Sequence, residues 1–233
     1  MKKIIRSRMF FGMGFAVLVS FFAIPAVAQK SLNHARDEAR EAHQLLSDVQ
    51  SVPAKAIPKS VLRNALAIAV FTNVKKGGFI VGGTGGDGVI VRKKGNAWGP
   101  PVYYDIGGAD VGLQIGVKKS DVILVFMTES ALNDLLDDEM ELNAGIGATA
   151  GPVGETAGAS TGVKNNVYVY SHSSGGFAGA TVGGGSVKAN NSINEALYKM
   201  KGGAVLTDAS SIKMSTLPAE LQAFTKLVAS YTK

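Results

Sequence analysis

The chain has no cysteine, one tryptophan, seven prolines and three histidines in 233 residues. Without cysteine there is no disulfide framework, thiolate zinc site, iron–sulfur ligation or thioether lipid anchor. Sparse proline beside 46% apolar residues excludes a disordered or collagen-like chain, despite 29 glycines. The histidines give little to a metal or acid–base centre. His34 and His43 are nine apart, which sets them on opposite sides of one helix, and His172 alternates with Tyr170 and Tyr168 on a strand. A true excess of positive charge is lacking too. The formal net charge is +6, but Lys2, Lys3, Arg6 and Arg8 fall in a leader without acids. The remaining chain has 20 basic and 18 acidic residues, which is no argument for nucleic acid.

Long apolar runs are also scarce. The one present is Met9–Ile24, after the basic Met1–Arg8 and before Pro25-Ala26-Val27-Ala28. Basic, apolar, then small-x-small is the order of a secretory signal, with cleavage expected after Ala28. Gly12, Gly14 and Pro25 weaken the alternative of an uncleaved membrane anchor. The expectation is an exported protein, and export without cysteine fits a bacterial periplasm.

Apolar positions Leu32, Ala35, Ala39, Ala42, Leu45, Leu46 and Val49 predict a helix from Ser31, its alanine stripe packed on the domain, with a lipid surface as the alternative. Glu38 is assigned with Asp37 and Glu41 to its wet face. Ile57-Pro58 opens a second helix. From Ala67 the period becomes two. Strands are expected at Ala67–Asn73, Gly78–Gly83, Gly88–Lys93, Val102–Asp105, Ala109–Val117 and Val122–Thr128, then Glu141–Ala150, Val167–Ser173 and Phe177–Lys188. Helices are expected at Ser130–Asp137, Ile193–Met200 and Pro218–Tyr231, with Gly202-Gly203 breaking the chain. Short connections imply antiparallel neighbours. Glycines at even separations, such as Gly108, Gly112 and Gly116, lie on one face of a strand and let a sheet bend sharply. The fold class is therefore α+β: a glycine-rich, strongly curved antiparallel sheet, barrel or sandwich-like, flanked by N- and C-terminal helices. The expected division is a leader 1–28, an N-terminal helix 29–56, a domain 57–200 and a helical extension 201–233.

Three motifs invite a catalytic or ion-binding reading and lack its context. Gly83-Thr84-Gly85-Gly86-Asp87-Gly88 matches the phosphate fingerprint G-x-G-x-x-G, but Val89-Ile90-Val91 after it is a strand where that chemistry needs a helix. A hairpin turn is expected instead. Gly158-Ala159-Ser160-Thr161-Gly162 has the form of a nucleophile elbow, but no carboxylate stands between Ser160 and the later His172. The acids Asp134, Asp137, Asp138, Glu139 and Glu141 lack calcium-loop spacing and read as a solvated helix end. No enzyme, cofactor or metal site is expected.

Charge position says more. Residues 29–119 hold 13 basic and 7 acidic residues, residues 120–155 hold 8 acids and no base, and residues 156–233 hold 7 bases and 3 acids. Lys75-Lys76, Lys93-Lys94 and Lys118-Lys119 each sit at an expected strand junction, two strands apart. In an up-and-down meander such turns share one end. The three doublets, with Arg92, are expected on one rim, and Asp87, Asp105, Asp110 and Glu129 at the other. Paired lysines also blunt sheet edges, but three pairs together predict an anion-binding face for a membrane surface. Insertion of an apolar side chain such as Phe79 or Trp98 could strengthen it, although their placement is not read from the sequence.

The ordered set Ile57-Pro58, Val61-Leu62, Ala65–Phe71, Gly77-Gly78-Phe79, Gly85–Val91 and Trp98-Gly99-Pro100-Pro101 resembles the SYLF lipid-binding domain family. Asp121–Val125, Gly151-Pro152-Val153-Gly154 and Gly176-Phe177-Ala178-Gly179 extend the likeness across about Ile57 to Tyr198. The resemblance implies a non-catalytic lipid-binding module of α+β type. Eukaryotic members bind phosphoinositides and, in endocytic adaptors, actin. Two positions depart from the family pattern. Glu155 follows the Gly-Pro-x-Gly motif where arginine is frequent, and Ser173-Ser174-Gly175 precedes Gly-Phe-Ala-Gly where a base is frequent. Both count against phosphoinositide specificity, and export counts against actin. The expected partner is an anionic phospholipid surface, bound through Lys75, Lys76, Arg92, Lys93, Lys94, Lys118 and Lys119. The alternative is a self-associating structural or stress protein of the envelope without lipid preference.

Overall fold

The computed structural model describes residues 26–78, 81–111, 118–142, 148–154, 166–173, 176–179 and 185–233. The leader through Pro25, Phe79 and the Ser160 motif lie outside them. Helix α1 (Ala26–Ser51) leads into α2 (Lys59–Asn64) and then into β1 (Ala67–Gly78), β2 (Val81–Lys94), β3 (Ala97–Trp98), β4 (Val102–Val111) and β5 (Lys118–Phe126). After α3 (Glu129–Leu136) come β6 (Glu139–Leu142), β7 (Ala148–Ala150), β8 (Val167–Ser173), β9 (Gly176–Gly179) and β10 (Gly185–Ala189). Helices α4 (Asn191–Tyr198), α5 (Gly202–Thr207) and α6 (Ala219–Tyr231) close the chain.

The sheet runs β6-β10-β4-β2-β1-β5-β8-β7, with β3 on β2 and β9 on β8. The expected α+β class and strongly curled, helix-flanked sheet are present. Every neighbour pair is antiparallel except β7 with β8, which is parallel. The simple meander is not found. Strands β1, β2 and β4 follow one another, but β5 returns beside β1, giving a Greek-key order. Two expected turns are absent as well. The glycine run Gly83–Gly88 lies inside β2, and Asp105–Ala109 lies inside β4. Glycine there serves close approach. A Cβ on Gly88 would come 2.4 Å from the Val70 carbonyl oxygen, and one on Gly86 would come 2.9 Å from Val74 Cα. The bare positions let β2 coil tightly over β1.

Both sheet faces are covered, which explains the apolar runs Ala67–Phe71 and Val122–Phe126. Ile68, Val70, Val89, Val91, Tyr103, Ile123 and Val125 form one core with α1, α2 and α6. Ala67, Ala69, Phe71, Ile90, Tyr104, Leu124 and Phe126 form the other with α3 and α5. Helix α1 packs on the domain as its stripe predicts, burying Ala35, Ala39, Ala42 and Leu46. Alanine gives little area, so polar pins add to the hold. The Tyr103 hydroxyl donates to the Ala35 carbonyl at 2.7 Å, and Arg36 pairs with Glu220 on α6 at 3.3 Å. Gly202-Gly203 does not break the chain but opens α5, because a Cβ on Gly203 would fall 2.0 Å from the Leu136 carbonyl oxygen.

Candidate functional site

Two of the three lysine doublets meet through the register of one strand pair. Lys75 lies opposite Lys119, and Lys76 opposite Lys118, across β1 and β5. On its other side β1 sets Lys75 opposite Gly85 and Lys76 opposite Thr84, so no acid stands directly across on either side. Like charges facing each other in a ladder are destabilising. The ladder begins just past a bulge, since the pairing of β1 slips between Thr72 and Lys75 against β2 and between Phe71 and Val74 against β5. Asn73 takes φ 55° there. Its backbone N–H donates to Asp121 Oδ1 at 2.9 Å, and its side-chain amide donates to Glu41 Oε2 at 2.8 Å. A bulge re-aims the residues that follow it, and Lys75 is exposed.

The third doublet does not join them. Because β2 is one long strand, Lys93-Lys94 falls one strand from Lys75, at the far end of the sheet. Its neighbours use the charges locally. The half-buried Arg92 guanidinium donates to the Leu206 carbonyl at 3.2 Å and to Glu129 at 2.9 Å. Lys93 Nζ reaches the Arg63 carbonyl at 3.4 Å, and Lys94 Nζ donates to the Thr207 carbonyl. Hydrogen bonds from Ser210 hold the Asp208 carboxyl below its ordinary range, and Lys94 adds to that. Trp98 is buried, with its indole N–H donating to Thr232 at 2.8 Å, so it is not an insertion residue.

The expected acidic end is likewise dispersed. Asp87 lies opposite Asp105 on β4, Asp110 lies opposite Gly82 near the lysine ladder, and Glu129 pairs with Arg92 at the other end. Asp87 and Asp105 instead join His34 and Glu38. His34 Nε2 stands 3.3 Å from Asp87 Oδ2. Burial, reinforced by Asp87 and Glu41, pushes the Glu38 carboxyl up to about 7. Burial also raises Asp105, against the amide of Asn190 that donates to both its oxygens. A cavity of about 390 Å³ opens beside them, with Lys75 on its lining. This group was missed because Glu38 was assigned to the wet face of α1. The available signal was its place on the alanine stripe, three residues after Ala35 and four before Ala42, where only a small apolar residue fits without comment.

In the acid run after α3, Asp134, Asp137, Glu139 and Glu141 are exposed, as a solvated helix end would be, and Asp138 has a structural role. Asp138, at φ 69°, accepts the Gly203 N–H at 2.7 Å and the Asn191 amide at 3.1 Å, tying α3 to α4 and α5. Among the described residues no helix is long and apolar enough to cross a membrane.

Residues 107–231, more than half of the chain, match the family described as Ysc84, Las17-binding protein actin regulator. The chain is 34% identical to Protein YSC84 of Saccharomyces cerevisiae over 150 residues, covering 62% of this chain and 32% of that one. It is 32% identical to the SH3 domain-containing protein PJ696.02 of Schizosaccharomyces pombe over 151 residues, 62% of this chain and 35% of that one. With the SH3 domain-containing YSC84-like protein 1 of Xenopus laevis the identity is 28% over 172 residues, 70% of this chain and 51% of that one. The matched region thus spans about a third to a half of these curated relatives. The expected SYLF resemblance holds: the chain belongs to the Ysc84/SYLF family.

Proposed function

We propose that this domain binds the anionic headgroups of phospholipids at the surface of an envelope membrane, without catalysis. The observation that carries the reading is the lysine ladder, Lys75 opposite Lys119 and Lys76 opposite Lys118. A fold that sets two lysine pairs face to face accepts repulsion that an anionic surface relieves. Each lysine near such a surface contributes about 1 kcal/mol, so four give adhesion that weakens with salt. Arg92, Lys93 and Lys94 lie at the other end of the sheet, where their donors are turned to backbone carbonyls and Glu129, and they contribute little. The secretory pattern of Met1–Ala28 supports an exported protein, and the accessible anions there are phosphatidylglycerol, cardiolipin or lipopolysaccharide.

Vesicle sedimentation tests this reading. The chain is expected to sediment with vesicles containing phosphatidylglycerol and not with phosphatidylcholine alone, and to be released by high salt. Reversing Lys75, Lys76, Lys118 and Lys119 to Glu together is expected to abolish sedimentation, whereas K93E/K94E leaves it. Wild-type sedimentation by the fourfold variant rejects the site. A second reading rests on the printed family description, which names actin regulation. It predicts co-sedimentation with actin filaments, and the expected leader argues against that encounter.

A further inference from the structure

We propose that His34, Glu38 and Asp87 hold a divalent transition-metal ion between helix α1 and the sheet. His34 and Glu38 are one turn apart on α1 and therefore share a face. Asp87 comes from β2, and one donor atom from each of the three residues lies within 4.8 Å of the other two. An ion about 2.0–2.2 Å from each ligand needs its donors within roughly 4.4 Å, a closure that small side-chain rotations supply. His34 and Asp87 keep 41% and 49% of their side chains exposed, and the adjoining cavity of about 390 Å³ gives an entry path.

Glu38 points independently to a ligand. It is only 9% exposed, and among the described residues its one hydrogen-bond contact is the Thr72 hydroxyl at 3.4 Å. That hydroxyl has a single proton and lies closer to Glu41, at 3.0 Å. The buried carboxylate thus shares its described donor with Glu41 and stands beside Asp87 and Asp105, which face each other across β2 and β4. Among the described residues no lysine or arginine forms an ion pair with Glu38, Asp87 or Asp105, although Lys75 lines the same cavity. A buried carboxylate demands a charged or hydrogen-bonding partner, and a cation supplies it. Asp105, opposite Asp87 across β2 and β4 and held by the Asn190 amide, is a positioning residue. One imidazole nitrogen among carboxylates suits Zn²⁺ or Mn²⁺ better than Ca²⁺ or Mg²⁺, which prefer oxygen alone.

The full chain, stripped with chelator, is to be titrated calorimetrically with ZnCl₂, MnCl₂, CaCl₂ and MgCl₂. One equivalent of Zn²⁺ or Mn²⁺ is expected to bind, more tightly than Ca²⁺ or Mg²⁺ and with proton release. H34A and D87N each change an exposed side chain, and each is expected to weaken binding by about tenfold or more. H43A, the other histidine of α1, is expected to bind as wild type does. Absence of a saturable equivalent, equal binding by H34A and D87N, an equal loss in H43A, or Ca²⁺ and Mg²⁺ binding as tightly as Zn²⁺ overturns the assignment.

Discussion

Lys75 on β1 lies directly opposite Lys119 on β5, with Gly85 as its partner on the other strand. Like charges directly opposite each other in a ladder are destabilising. Replacing Lys75 with Thr, a good strand residue, removes one facing pair. The variant is expected to gain about 0.2–1 kcal/mol at low ionic strength. The gain should fade at high salt, where exposed charges are screened. Urea titrations at two salt concentrations read it, and a loss of stability at low salt would mean that Lys75 is engaged internally.

Arg92 was grouped by sequence with the membrane-facing bases, and its contacts give it another role. Its guanidinium reaches the Leu206 carbonyl near the end of α5 and Glu129 at the start of α3, joining two helices to β2. Arg92→Met keeps the aliphatic bulk and removes these bonds. A destabilisation of about 1–3 kcal/mol is expected, because the helix-end carbonyl loses its donor. Vesicle sedimentation should be unchanged. If R92M weakens sedimentation and leaves the urea midpoint in place, Arg92 belongs to the binding surface after all.

Two glycines of the same G-x-G-x-x-G run should answer differently to alanine. A Cβ on Gly85 meets nothing within 4 Å, whereas one on Gly88 would sit 2.4 Å from the Val70 carbonyl oxygen and 2.8 Å from Phe71 Cα. Gly85→Ala is expected to be neutral or to stabilise by up to about 1 kcal/mol through the lost freedom of the unfolded chain. Gly88→Ala is expected to cost about 1–3 kcal/mol or more, since the backbone must shift. Thermal melts of the pair compare them directly. Equal effects would mean that the coil of β2 over β1 is not what the glycines serve.

That run also marks where sequence reading succeeded and failed. Strand Val167–Ser173 and the helix ending at Tyr231 were legible because their periodicity and flanking breakers are strong. The α+β class and the curl followed from period two and evenly spaced glycine. A glycine that ends a strand and one that lets a strand coil look alike in sequence, however, and Gly83–Gly88 was read as the first kind. One turn too many between Lys76 and Lys93 reverses the expected direction of Gly88–Lys93 and Val102–Asp105. The second surplus turn, inside β4, restores it, so only the Lys93-Lys94 doublet falls at the wrong end. The return of β5 beside β1 is a pairing choice made by the two cores, and no local signal states it. The cluster joins His34 and Glu38, one turn apart on α1, to Asp87 on β2, a meeting that exists only once α1 docks on the sheet.

Asn194, fully buried, completes the ladder where β10 stops. Strand β10 pairs with β4 only as far as Tyr104, so the outer edge of Tyr103 lacks a strand partner. The Asn194 side chain takes that place, accepting the Tyr103 N–H at 2.9 Å through Oδ1 and donating to the Tyr103 carbonyl at 2.9 Å through Nδ2. The Asn190 N–H also donates to that carbonyl, at 2.9 Å, so the N–H of Tyr103 is the group that depends on Asn194 alone. Asn194→Ala should leave it buried and unsatisfied, at a cost of about 1–3 kcal/mol. Asn194→Asp preserves an acceptor for the N–H but sets a second oxygen against the Tyr103 carbonyl and buries a charge, so it should be the worse of the two at neutral pH. Denaturant midpoints for the two variants decide it: if Asp is tolerated better than Ala, the acceptor half of the amide matters and the donor half does not.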